Sequence, residues 1–126
     1  MSEHTHGIAA DLQRFFVPVD LDRRRVLAFD NRATWLVYQR YGAGFWRELY
    51  EPDPAKPKQF RLRSLEVLEF FLWAGLQRDA DAAGEILRLE DVAALILPQT
   101  ISDLAQALLI ALSATHRRPE KESKND

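Results

Sequence analysis

The sequence predicts a mainly α protein, a small α-helical domain of about four to five helices with an N-terminal β-hairpin. Three observations carry that expectation. Apolar residues recur at helical spacing in several windows, most clearly at Leu65, Leu68, Leu72 and Leu76. Two short apolar runs near the N-terminus read as strands, with the charged Asp22-Arg23-Arg24 between them. Helix start and stop signals, including Asp30-Asn31, Gly42, Ser64 and Thr100, fall at the ends of the helical windows. With 126 residues, 47% of them hydrophobic and 10% aromatic, the chain suffices for one domain with its own core, expected over residues 15–115.

Residues 1–14 are polar and expected to be loosely ordered. The hairpin is expected over 16–29: Val17, Val19 and Leu21 alternate with Pro18 and Asp20, and Arg25-Val26-Leu27-Ala28-Phe29 supplies the return strand. Pro18 cannot donate to a ladder, so its strand should lie at an edge. A lone hairpin is marginal in water, so this one must pack on helices. A helix follows over 31–41, with Asp30-Asn31 as cap chemistry, Ala33, Leu36, Val37 and Tyr41 as its stripe and Gly42 as its stop. A short helical piece over 44–50 is rich in aromatics, Trp46 among them.

Glu51 to Pro57 holds three prolines and reads as a stiff, extended connector. Lys56, Lys58, Arg61 and Arg63 then place four positive charges with no negative one between them, either a solvated loop or a docking strip for an acidic partner. A helix over 64–77 and a loop over 78–85 lead to a helix over 89–97, which carries Glu90 and Asp91 in its first turn and is interrupted by Pro98. The last helix, 100–115, starts at a capping box formed by Thr100 and Asp103. Ile101, Leu104, Ala105, Leu108 and Leu112 form its buried face, while Ile110 sits among the polar Asp103, Gln106 and Ser113. Residues 116–126 form a charged tail that cannot bury enough apolar surface to order itself.

The helix over 64–77 holds the main anomaly. At about 100° per residue its leucines fall on one side, with Glu66, Glu69 and Gln77 on the other. Trp73 lies in the middle of that polar cluster, with Phe70 at its edge. A helix apolar nearly all round needs a second cover. Either the Trp46 segment or the proline-rich connector folds over Trp73, or Trp73 and Phe70, with Glu66 and Glu69 beside them, belong to a partner or self-association surface. Large aromatic anchors of this kind dominate such interfaces, and Ile110 and Trp46 are further candidates for it.

Several function classes are disfavoured. The formal charge of −2 and pI near 5.9 lack the basic excess of a nucleic-acid coat. A small helical nucleic-acid-binding regulator is the alternative reading, since 89–97 and 101–115 resemble a helix-turn-helix, with Arg23-Arg24-Arg25 and Arg117-Arg118 as phosphate contacts. The second helix carries no Arg or Lys before Arg117, which is unlike a reading helix. The three histidines, His4, His6 and His116, lie at the chain's ends, away from any scaffold that could hold a base or a metal. Gly42-Ala43-Gly44 lacks the strand and third glycine of a dinucleotide site. No enzyme activity, metal or cofactor is therefore expected. With no cysteine, no apolar run of about 18 residues and no basic-then-apolar N-terminus, the expectation is a soluble intracellular protein with no membrane partner.

Three blocks, in order and spacing, resemble the tail assembly chaperones of long-tailed (siphovirus-type) bacteriophages and gene transfer agents. They are Arg25-Val26-Leu27-Ala28-Phe29-Asp30-Asn31-Arg32-Ala33 with the helix closing on Tyr41-Gly42; Leu72-Trp73-Ala74-Gly75-Leu76 with Leu89-Glu90-Asp91-Val92-Ala93-Ala94-Leu95-Ile96; and Ala107-Leu108-Leu109-Ile110-Ala111-Leu112-Ser113. Together they span roughly residues 16–115. Arg88 stands where that family would place a capping Thr or Ser, and the proline-rich insert is longer than its usual link. The resemblance implies a protein that binds the tape-measure protein, keeps it soluble and helps recruit tail-tube subunits. It also implies action in the host cell cytoplasm, absence from the finished virion and, in some members, a longer frameshifted form.

Overall fold

The computed structural model describes residues 16–115. Expectations for residues 1–14, for the charged tail and for His4, His6 and His116 fall outside the described residues. The architecture is the expected one, a mainly α domain with an N-terminal antiparallel hairpin.

Strand β1 (Phe16–Asp20) pairs with β2 (Arg24–Ala28), so that Val19 faces Arg25 and Val17 faces Leu27. Pro18 is exposed on this two-stranded ribbon, where both strands are edges. Helix α1 (Asn31–Tyr41) starts where the Asp30 carboxylate accepts from the Ala33 N–H at 2.9 Å. It stops at Gly42, whose φ of 84° suits glycine and whose N–H donates to the Tyr38 carbonyl at 2.7 Å.

The segment after α1 departs from expectation. In place of a helix over 44–50 there is a single 3-10 turn, Phe45–Arg47, and Tyr50 begins a strand. The proline-rich stretch is not an open connector: β3 (Tyr50–Pro52) and β4 (Phe60–Leu62) form a second hairpin around it. Proline is compatible here because Pro54 and Pro57 lie in the loop, where no ladder bond is needed, and Pro52 is on an edge. Inside the loop the Asp53 carboxylate accepts from Ala55 N–H at 2.9 Å, and across the ribbon Arg61 bonds Glu51 at 2.7 Å. The supposed unbroken basic strip is thus interrupted by an acid from the facing strand. Tyr50 ties the ribbon to the last helix by donating its hydroxyl to the Ala105 carbonyl at 2.7 Å.

Helix α2 (Leu65–Gly75) is capped by the Ser64 hydroxyl, which accepts from Val67 N–H at 3.2 Å. It is the centre of the molecule. Val67, Leu68, Phe70, Phe71, Leu72, Ala74 and Gly75 are all buried, covered by α1, β2 and the helices that follow. Leu65, expected in the stripe, is 46% exposed because the first helical position lies past the covering elements. Gly75 has a specific cause: a Cβ there would meet Leu27 at 2.9 Å and Phe29 at 3.0 Å, so its bare backbone lets the first hairpin lie against the helix.

The expected loop over 78–85 is largely helical. The chain turns at Leu76 and continues as α3 (Gln77–Ala82), for which the alanines are good formers. Helix α4 (Leu89–Leu95) starts at Arg88 without a side-chain hydroxyl cap; Asp91 accepts from the Arg88 N–H at 2.9 Å instead. It ends two residues before the expected 97, because Ile96 is extended and Leu97, preceding Pro98, is extended too. After a 3-10 turn (Pro98–Thr100) comes α5 (Ile101–Thr115). The Thr100 hydroxyl turns back to Leu97, accepting its N–H at 3.2 Å and donating to its carbonyl at 2.8 Å, rather than capping toward Asp103. Leu104, Ala105, Leu108 and Leu112 are buried as expected, joined by Ala107 and Ala111. Among the described residues no single helix is long and apolar enough to cross a membrane.

Candidate functional site

Trp73 is half-buried and meets a segment of its own chain that was not among those expected to cover it, while the Trp46 side chain falls outside the described residues. The stretch between α3 and α4 passes over it, and the indole N–H donates to the Leu87 carbonyl at 2.9 Å. The same carbonyl accepts from the buried Gln77 amide at 3.3 Å, and that amide also reaches the Trp73 carbonyl at 3.0 Å. A half-buried tryptophan with a satisfied N–H is an internal anchor. Phe70 is buried, its ring 5.3 Å from Trp73 and 5.7 Å edge-on from Tyr41. Arg40 closes that aromatic group from outside, its guanidinium 4.7 Å from the Phe70 centroid.

The other candidate residues scatter. Glu66 is exposed and Glu69 half-buried on the outer side of α2. Ile110 is 51% exposed on α5, with Leu109 beside it at 48%. Trp46 lies in the 3-10 turn, and its side chain falls outside the described part of the structure. Trp73 and Phe70 therefore meet, Glu66 and Glu69 flank their helix, and Ile110 belongs to a different face.

The arginine run is also reassigned. Arg25 is 3% exposed, held by Asp22 at 2.8 Å, Glu85 at 2.9 Å and Asp79 at 3.2 Å. Arg23 adds bonds to Asp79 at 2.7 Å and Glu85 at 3.1 Å. Asp79 further accepts the Val26 N–H at 3.2 Å. This network fastens the first hairpin to α3 and to the stretch that covers Trp73. The Arg25 hydrogen bonds hold the Asp22 carboxyl below the usual carboxylate range, and those of Arg23 and Arg25 do the same for Glu85. A guanidinium committed to three carboxylates is not a phosphate contact. Period-two spacing with Leu27 and Phe29 places Arg25 on the core-facing side of β2, a signal the sequence did carry.

Ile110 aside, the exposed apolar residues that the fold leaves at the surface are not among the sequence candidates. Trp35 and Tyr38 stack on the outer face of α1 with centroids 5.3 Å apart and planes 8° off parallel. Ile86 is 87% exposed, beside a shallow cleft of about 350 Å³ between the 85–87 stretch and α4. Phe60, on the second hairpin, is 69% exposed. Among the described residues no three His, Cys, Asp or Glu side chains converge as a metal site. Compared with protein-family models, curated proteins and solved structures, the chain finds no match.

Proposed function

We propose that the protein is a phage tail assembly chaperone that binds the tape-measure protein, keeps it soluble and helps recruit tail-tube subunits around it. The observation that carries this reading is the surplus of large apolar side chains left at the surface of a small, well-packed domain: Trp35, Tyr38, Phe60, Ile86, Leu109 and Ile110 are each 43% exposed or more. Scattered exposed apolar residues are ordinary, but a stacked aromatic pair and a cleft edged by a nearly bare isoleucine are features suited to a client helix laid on the surface. The sequence resemblance across the hairpin, the central helix and the last helix supports the same reading. On it, the protein works in the host cytoplasm, with a tape-measure protein as client, tail-tube protein as second partner, self-association as a further property and no place in the mature virion.

Commitment of Arg23 and Arg25 to acidic partners removes two of the phosphate contacts of the nucleic-acid alternative, while Arg24 stays exposed and Arg117 and Arg118 lie outside the described residues. Coexpression tests the proposal. The soluble yield of the tape-measure protein encoded alongside this chain should rise with the chain present; an unchanged yield, with this protein itself folded, overturns it.

A further inference from the structure

The cleft between the 85–87 stretch and α4 is lined by both apolar and charged side chains, with acids in excess. Leu87, Ala94 and Leu95 line it, and Ile86 stands at its edge. Asp22, Glu85 and Asp91 border it, and Asp79 lies just behind in the same ion network. Arg25 also lines the cleft but is buried, and Arg23 is bound to Asp79 and Glu85. Four carboxylates thus stand against two guanidiniums, while Arg88 and Glu90, 3.9 Å apart on the adjoining turn, offset each other. The cleft keeps a negative excess beside its apolar lining residues.

We infer that this cleft is the docking site for a basic amphipathic segment of a partner, one aliphatic side chain seated against Ile86, Ala94 and Leu95 and Lys or Arg on its flanks meeting Asp22, Glu85 and Asp91. The inference rests on the chaperone reading for the identity of the partner and deepens it by naming where, and through what chemistry, a client binds. Charge complementarity selects the occupant: Asp22 and Glu85 are already bonded to Arg25 and Arg23, but the acids outnumber the arginines, so an acidic segment would meet like charge and a basic one the unbalanced excess that sets orientation and on-rate. The cleft is too small for a whole helix face but suits a single Leu, Ile or Met anchor with its neighbours outside.

The test uses two synthetic helical peptides with the same leucine stripe, one with lysines and one with glutamates on the polar positions, in fluorescence anisotropy against the full chain. The lysine peptide should bind and weaken as salt rises, and the glutamate peptide should bind at least about tenfold more weakly. Ala94→Arg, at an exposed position that fills the cleft with the wrong charge, and Ile86→Ser, which removes the exposed anchor, should each weaken the lysine peptide about tenfold while leaving the circular dichroism unchanged. Equal binding of both peptides, no binding of either, or binding untouched by the two substitutions overturns the inference. Coexpression separates its failure from that of the chaperone reading. If wild type and Ala94→Arg raise the client's soluble yield alike, the cleft is not the site although the chaperone reading stands; if wild type raises none while the lysine peptide still binds in the cleft, the reading fails and the site stands.

Discussion

Trp73 and Trp35 sit on two helices of the same length, each on the side that helical periodicity marks as outward. One is half-buried and the other is 57% exposed. The difference is made by what returns over them. Trp73 meets the 85–88 stretch, which offers a carbonyl to its indole and is itself anchored through Glu85 to Arg23 and Arg25. Trp35 stacks on Tyr38 of its own helix, three residues on, and stays exposed among the described residues. An outward tryptophan is therefore not a site by virtue of its position; the site candidates are the side chains left exposed among the described residues.

Breaking the covered side should cost most. Trp73→Ala should lower stability by about 3 kcal/mol in denaturant unfolding, the range for truncating a large packed aromatic. Arg25→Met should cost about 2 kcal/mol, since it leaves Asp22, Asp79 and Glu85 facing one another with only Arg23 between them. Gly75→Ala should cost about 1 kcal/mol or more, because the added methyl meets Leu27 and Phe29 within a packed core, and thermal unfolding would register it. Acid sharpens the same contrast. Asp22 and Glu85 have folded-state values below their unfolded ones, so their contribution is complete above the ordinary carboxylate range and is lost as pH falls through the depressed values. Stability should hold from neutrality down to about pH 5 and fall below about pH 4, with a shallower fall in Arg25→Met. Smallest of all, Trp35→Ala should change stability by no more than about 0.5 kcal/mol.

The same contrast explains how much could be read in advance. The first hairpin, α1 with its Asp30 and Gly42 ends, the Ser64 cap and the buried face of α5 follow from local chemistry, and each is where the sequence places it. The second hairpin was hidden because three prolines look like a connector when nothing shows that strands close around them. Helix α3 was hidden because its charges look like loop chemistry, although Asp79 is there to hold the hairpin. The cover over Trp73 is a backbone carbonyl, and side-chain patterns carry no trace of where a carbonyl will point. Of the candidate contacts, Ile110 is accessible as an out-of-pattern residue should be, whereas Phe70 is enclosed by Tyr41, Arg40 and Trp73.

Indole N–H exchange, followed by NMR in the intact protein, tests the division between covered and open surface most directly. The Trp73 indole should exchange slowly, protected by its bond to the Leu87 carbonyl, while the Trp35 indole exchanges at nearly the rate of a free side chain. A Trp73 indole exchanging as fast as that of Trp35 would contradict the assignment of the central helix to the core and return Trp73 to the surface available to a partner.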